Sequence, residues 1–144
     1  MGSAGYKVIC TAGPADVRAT LTCLVTKLQR FCNTKTTSPP SVKLVLVGGD
    51  TFLNSLLRPY VEVFSSKPPD WQSYLRFYIV PLGSGSGSQN TVAKFIGRHD
   101  HVYASLFLHD SWRELLEKAE PGGATASIFV QFPCCKRSLI YHRR

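Results

Sequence analysis

The sequence predicts an α/β fold: three layers, with a mostly parallel sheet between flanking helices in a Rossmann- or flavodoxin-like order. Three observations predict it. Short apolar runs rich in β-branched and aromatic residues recur at Tyr6–Thr11, Val42–Val47 and Leu75–Val80. Between them lie stretches whose apolar residues return at three- and four-residue steps, one face of a helix. Glycines follow the second and third runs, at Gly48-Gly49 and Gly83-Ser84-Gly85-Ser86-Gly87-Ser88. Strands alternating with helical stretches are the pattern of βαβ units. Parallel sheets built that way are covered on both faces.

The first run ends at Thr11-Ala12-Gly13-Pro14. Pro14 suits the first turn of a helix, where its missing N–H costs nothing, and Asp16 stands where the helix dipole favours negative charge. Val17, Leu21, Leu24, Val25, Leu28, Phe31 and Cys32 mark the inward face, with Cys23 placed on it and Arg18, Lys27 and Arg30 off it. Asn33–Ser41 reads as a polar loop. Val42–Val47 reads as a strand buried on both faces. Asp50 is placed to cap the helix that follows, whose inward face is Phe52, Leu53, Leu56, Leu57, Tyr60, Val61 and Phe64. Pro59 lies inside that repeat, so a kink near Arg58 or a break is expected there.

Ser65–Asp70 is a second loop, and Leu75–Val80 the third strand, stopped by Pro81. Thr91–Gly97 reads as a short helix with Val92, Phe95 and Ile96 inward. Residues 98–109 read as irregular. Ser111 and Glu114 have the spacing of a capping box, opening a helix that Pro121-Gly122-Gly123 ends. Ser127–Phe132 reads as a fourth strand, and residues 134–144, without a period, as poorly ordered.

A chain of 144 residues is most simply one domain; residues 1–123 form its α/β part and 124–144 a basic tail. Hydrophobic residues make up 44% and charged residues 18%, a globular composition. No run has the ~18 apolar residues of a membrane span. The N-terminus lacks the apolar segment of a signal peptide, and Tyr6 stands where a myristoylation signal needs Ser or Thr. Cysteines at 10, 23, 32, 134 and 135 are odd in number and lack C-x-x-C spacing, which suits reduced thiols. The net charge is +8. Residues 124–144 hold Lys136, Arg137, Arg143 and Arg144 and no acid. A basic excess favours acidic partners: nucleic acid, anionic lipid or acidic peptide.

Strand-end glycine turns can cradle phosphate through backbone N–H groups. Here there is no G-x-x-x-x-G-K-[ST], and Ser88 stands where a dinucleotide fingerprint needs its third glycine. His99-Asp100-His101 and His109-Asp110 lack the ligand number and spacing of a zinc site. Cys134 and Cys135 are adjacent, which fits neither zinc spacing nor a mutual disulfide. No G-x-S-x-G elbow is present, nor an RNP-type motif for RNA. The residues therefore assign no catalytic, cofactor-binding or metal site and imply no cofactor. The binding residues are unknown.

Several segments resemble the phosphofurin acidic cluster sorting proteins, the PACS family. They are Ala15–Asn33, Pro40–Gly49, Val92–Gly97, Trp112–Leu116 and, most specifically, Pro69–Ser84. The resemblance covers about residues 11–118, in order. It implies a non-enzymatic, cytosolic sorting adaptor that acts by protein–protein interaction. Such adaptors join membrane cargo, transmembrane transporters included, to coat or adaptor machinery. They serve protein localisation between endosome, Golgi and plasma membrane, with peripheral association at endosome and Golgi membranes. The similar part is the C-terminal region, and cargo recognition lies in a region outside this chain, so no cargo-binding residue carries over. No DNA partner is expected, anionic membrane contact would come from the basic tail, and the oligomeric state is unassigned. Gly85–Asn90 reads as an insertion, Pro59 as a departure, and residues 120–144 as unlike the family's continuation. A sheet lacking strands that the longer region supplies would leave an edge or face for a partner. The alternative is a phosphate- or nucleotide-binding α/β domain using the two glycine turns.

Overall fold

The computed structural model describes residues 6–82, 90–119 and 127–131. Its elements are β1 (Tyr6–Cys10), α1 (Pro14–Thr34), β2 (Val42–Val47), α2 (Asp50–Phe64), a 3-10 turn (Pro69–Tyr74), β3 (Leu75–Val80), α3 (Thr91–His99), α4 (His101–Phe107), α5 (Asp110–Ala119) and β4 (Ser127–Gln131). The Gly83–Ser88 turn, the end of α5 at Pro121–Gly123, and residues 132–144 with Cys134 and Cys135 lie outside the described residues.

The fold is mixed α/β. The four strands run in the order β1-β4-β2-β3. β2 and β3 are parallel, Val42 aligned with Leu75 and Val47 with Val80. β4 is antiparallel to both its neighbours, pairing with β1 on one side and β2 on the other. β1, β2 and β3 thus share one direction, and a strand from the far end of the chain separates β1 from β2. The expected Rossmann- or flavodoxin-like order is not found among the described residues. The reason is that β4 arrives after three helices and enters the sheet reversed. It also draws residues 127–131, within the stretch read as a tail, into the sheet.

Helices α1 and α2 lie on one face of the sheet. Val17, Leu21, Leu24, Val25 and Leu28 from α1 and Leu53, Leu56 and Phe64 from α2 bury against Val42, Leu44, Leu46, Leu75 and Ile128. Burying such side chains contributes on the order of 1.5–3 kcal/mol each. An Arg18–Glu62 ion pair at 2.8 Å joins the two helices; both groups are exposed, so its contribution is small. Along β2 the alternate residues differ: Val42, Leu44 and Leu46 are buried, Lys43 is exposed, and Val45 and Val47 are half-buried. β2 is therefore not buried on both faces. The core joins the sheet to one helical layer, α1 and α2.

The helices also correct the sequence reading in detail. The buried stripe of α2 is Leu53, Leu56, Pro59 and Phe64, so Leu57 and Val61, one position further round, are exposed. Pro59 does not end the helix, which runs on to Phe64. Cys23 is exposed, because the buried seam of α1 follows Thr20, Leu21, Leu24, Val25 and Leu28. Phe95, read as inward, is also exposed. Asp16 does more than meet the dipole: its carboxylate accepts the Ala12 N–H at 3.0 Å.

Residues 98–109, read as irregular, include the end of α3 and all of α4. Asp100 separates the two, its carboxylate accepting the Tyr103 N–H at 2.9 Å and so capping α4. Gly97 lets the helices meet: a Cβ there would lie 2.4 Å from Leu108 Cδ1. The Ser111 capping box does not form, since α5 begins at Asp110 and Ser111 is already inside its first turn. Asp110 instead pairs with Arg113 at 2.7 Å.

α4 and α5 reach the end of β3, while α3 is tied to Asp50 at the start of α2. The Val80 carbonyl accepts from Gly48 N–H, on the β2 side. The carbonyl of Ile79, next in line, faces outward and accepts the Tyr103 hydroxyl at 3.0 Å. Trp112 Nε1 donates to the Pro81 carbonyl at 3.0 Å. These side chains occupy part of the outer edge of β3, a position that otherwise invites pairing with another strand.

Candidate functional site

The strand-end turn at Gly48–Asp50 is the place where a parallel sheet most often binds a ligand. The turn is built tightly. Gly48 donates to Val80 at 3.0 Å and accepts from the Leu82 N–H at 3.4 Å, so the ends of β2 and β3 are tied together. A Cβ on Gly48 would lie 2.4 Å from Cδ1 and 2.9 Å from Cγ of Phe52. The ring of Phe52 packs against the core and takes the space that a side chain on Gly48 would need. Glycine is needed here for an internal contact.

Gly49 is the N-cap of α2 and Asp50 its first residue; no side chain caps this helix. Asp50 reaches elsewhere. Its Oδ2 accepts the Thr91 N–H at 2.7 Å and its Oδ1 the Val92 N–H at 3.3 Å. Asp50 therefore caps α3, not the helix it opens. Desolvation raises its pKa, but hydrogen bonds from Thr91 and Val92 and the charge of Lys94 outweigh that and leave it below its ordinary value. A carboxylate held there already supplies the negative charge that the N-terminus of α3 favours.

The sequence could not place Thr91 and Val92 beside Asp50, since 41 and 42 positions separate them. The same holds for Tyr103, whose pKa burial pushes up to about 12. The other polar candidates stay apart. His99 stacks edge-on against Phe95, Asp100 caps α4, and His109 Nδ1 lies 3.3 Å from Ser111 Oγ. Among the described residues no three His, Cys, Asp or Glu side chains converge as a metal-binding group. Cys23 and Cys32 are free thiols. No described helix is long and apolar enough to cross a membrane.

What this geometry defines is an α/β module whose best-placed polar group joins two helices. The comparisons with known proteins go further. The sequence model of a family described as PACS-1 cytosolic sorting protein matches residues 2–131, and the chain belongs to that family. It is 43% identical over 114 residues to mouse phosphofurin acidic cluster sorting protein 1, covering 79% of this chain and 11% of that protein. It is 42% identical to the human form of the same protein, with the same coverage. Against human phosphofurin acidic cluster sorting protein 2 the identity is 39% over 117 residues, 81% of this chain and 13% of that one. The chain thus spans about a ninth to an eighth of the length of these relatives. No solved structure gives a significant match.

Proposed function

We propose that the chain is a non-enzymatic adaptor module that acts by protein–protein contact in membrane-traffic sorting. Its place is the cytosolic side of endosome and Golgi membranes, and its partners are coat or adaptor machinery and, through regions outside residues 1–144, membrane cargo. The observation that carries this reading is family membership over most of the chain. The strand-end turn is consistent with it, because Phe52 and Asp50 occupy the turn from within. The test is affinity capture from cytosol on the immobilised, folded chain, followed by rebinding of each purified component. Stoichiometric rebinding of a coat or adaptor subunit is expected. A folded chain that retains none would overturn the reading.

The basic stretch adds an anionic-membrane contact to the same proposal. Its test is shaped by β4. Deleting 124–144 would remove a strand that joins β1 to β2, so the deletion must begin at residue 132. Salt-sensitive binding to phosphatidylserine vesicles that disappears with 132–144 is expected; binding that survives that deletion contradicts the contact.

A further inference from the structure

We propose that the sheet face opposite α1 and α2 is a docking site for one amphipathic helix of a partner protein, with its carboxylates at the end that meets Lys43 and Arg76. The inference rests on reading the chain as a protein-contact module, and it names the surface and the partner's chemistry. The register builds the face in rows. Val8 and Val45 both align with position 129, and Val45 aligns with Tyr78. In the next row Val47 aligns with Val80. Val8 is 52% exposed and Tyr78 46%, while Val45, Val47 and Val80 are half-buried. The β2–β3 pair at the edge of the sheet is parallel, a pairing normally covered on both faces, and on this face Val8 and Tyr78 stay exposed.

The size fits one helix. Four strands at about 4.8 Å spacing span about 14 Å between the outer strands, and six residues run about 20 Å. A helix about 10–12 Å wide and about 13 residues long fills that area.

Charge selects the occupant. Lys43 and Arg76 stand directly opposite each other across β2 and β3, on the same face as Val45 and Tyr78, and both are exposed. Like charges placed so destabilise each other. No Asp or Glu stands on any of the four strands. Carboxylates from a partner would relieve the repulsion. A second copy would bring two more cations, and the chain's own residues 132–144 carry four basic residues and no acid.

The test uses a synthetic helix of about 13 residues with a leucine stripe and glutamates at one end, and a twin with lysines at that end. Fluorescence anisotropy reads binding to the full chain, to Lys43→Glu/Arg76→Glu and to Tyr78→Ser, each checked for an unchanged melting curve. The wild-type chain should bind the acidic peptide about tenfold more tightly than the basic one. The double reversal should invert that order, and Tyr78→Ser should weaken both. The proposal is overturned if neither peptide binds, or if the preference ignores the reversal. It is likewise overturned if Tyr78→Ser abolishes self-association in sedimentation, or if the face takes phosphatidylserine vesicles in place of the peptide. A captured coat or adaptor subunit that binds the double reversal as well as the wild type sinks this surface and leaves the adaptor reading standing.

Discussion

Asp50 holds together two helices that start 41 residues apart. Replacing it by Ala leaves two N–H groups of α3 without their acceptor. Loss of a cap costs about 0.5–2 kcal/mol, and this exposed site belongs at the low end. The melting midpoint should fall by about 2–4 °C. The sign of its pH dependence follows from its lowered pKa. On acidification the unfolded chain takes up the proton first, so the contribution is present above the ordinary value of 3.8 and is lost as pH falls through the lower folded value. Asp50→Asn should remove that part of the acid dependence in chemical denaturation. Tyr103 is the alkaline counterpart. Its folded pKa of about 12 exceeds the ordinary 10.0, so its contribution is complete below pH 10 and is lost as pH rises towards 12. Tyr103→Phe should cost about 0.5–1.5 kcal/mol at neutral pH, from the lost bond to Ile79. It should also flatten the decline at alkaline pH.

Among the elements, the turn between β2 and α2 makes the sharpest forecast. Gly48→Ala drives a methyl into the Phe52 ring, and such overpacking costs about 1–3 kcal/mol. In a Phe52→Leu background the same change should cost less, and a double-mutant cycle measures the difference. Additive effects would show that the ring is not the obstacle. The element scale also shows what local pattern can reveal. β3 was legible to the residue, Leu75–Val80, because an apolar run and Pro81 bound it. α1 was legible through Pro14 and its repeat. α4 was not: seven residues are too few for a period, and its only local sign is Asp100 before Tyr103. Leu57, Val61 and Cys23 lie outside the buried seams because a helical stripe read from sequence is wider than the seam that neighbouring elements cover.

The whole molecule depends on contacts that no local pattern encodes. The strands of β1, β2 and β3 were all readable, yet the insertion of β4 between β1 and β2 was not. Nor was its direction, since both depend on how α3, α4 and α5 return the chain to the sheet. The three-layer expectation rests on strands alternating with helical stretches, and the both-faces-buried reading on the run Val42–Val47; the structure buries only its Val42, Leu44 and Leu46 side fully. The candidate site was half legible. Gly48, Gly49 and Asp50 stood out, but their use, a ring over Gly48 and a cap on α3, requires partners far along the chain. The family resemblance, carried by segments such as Pro69–Ser84, reached the family that the turn alone could not. On the proposed reading this strand-end turn is structural and function falls to protein contacts. Melting curves of the wild-type chain and Asp50→Asn, with and without inorganic phosphate and a panel of nucleotides, test it most directly. Wild-type midpoints that no ligand moves are expected, with the variant lowered by the same few degrees under every condition. A ligand that raises the wild-type midpoint and loses that effect in Asp50→Asn would contradict it.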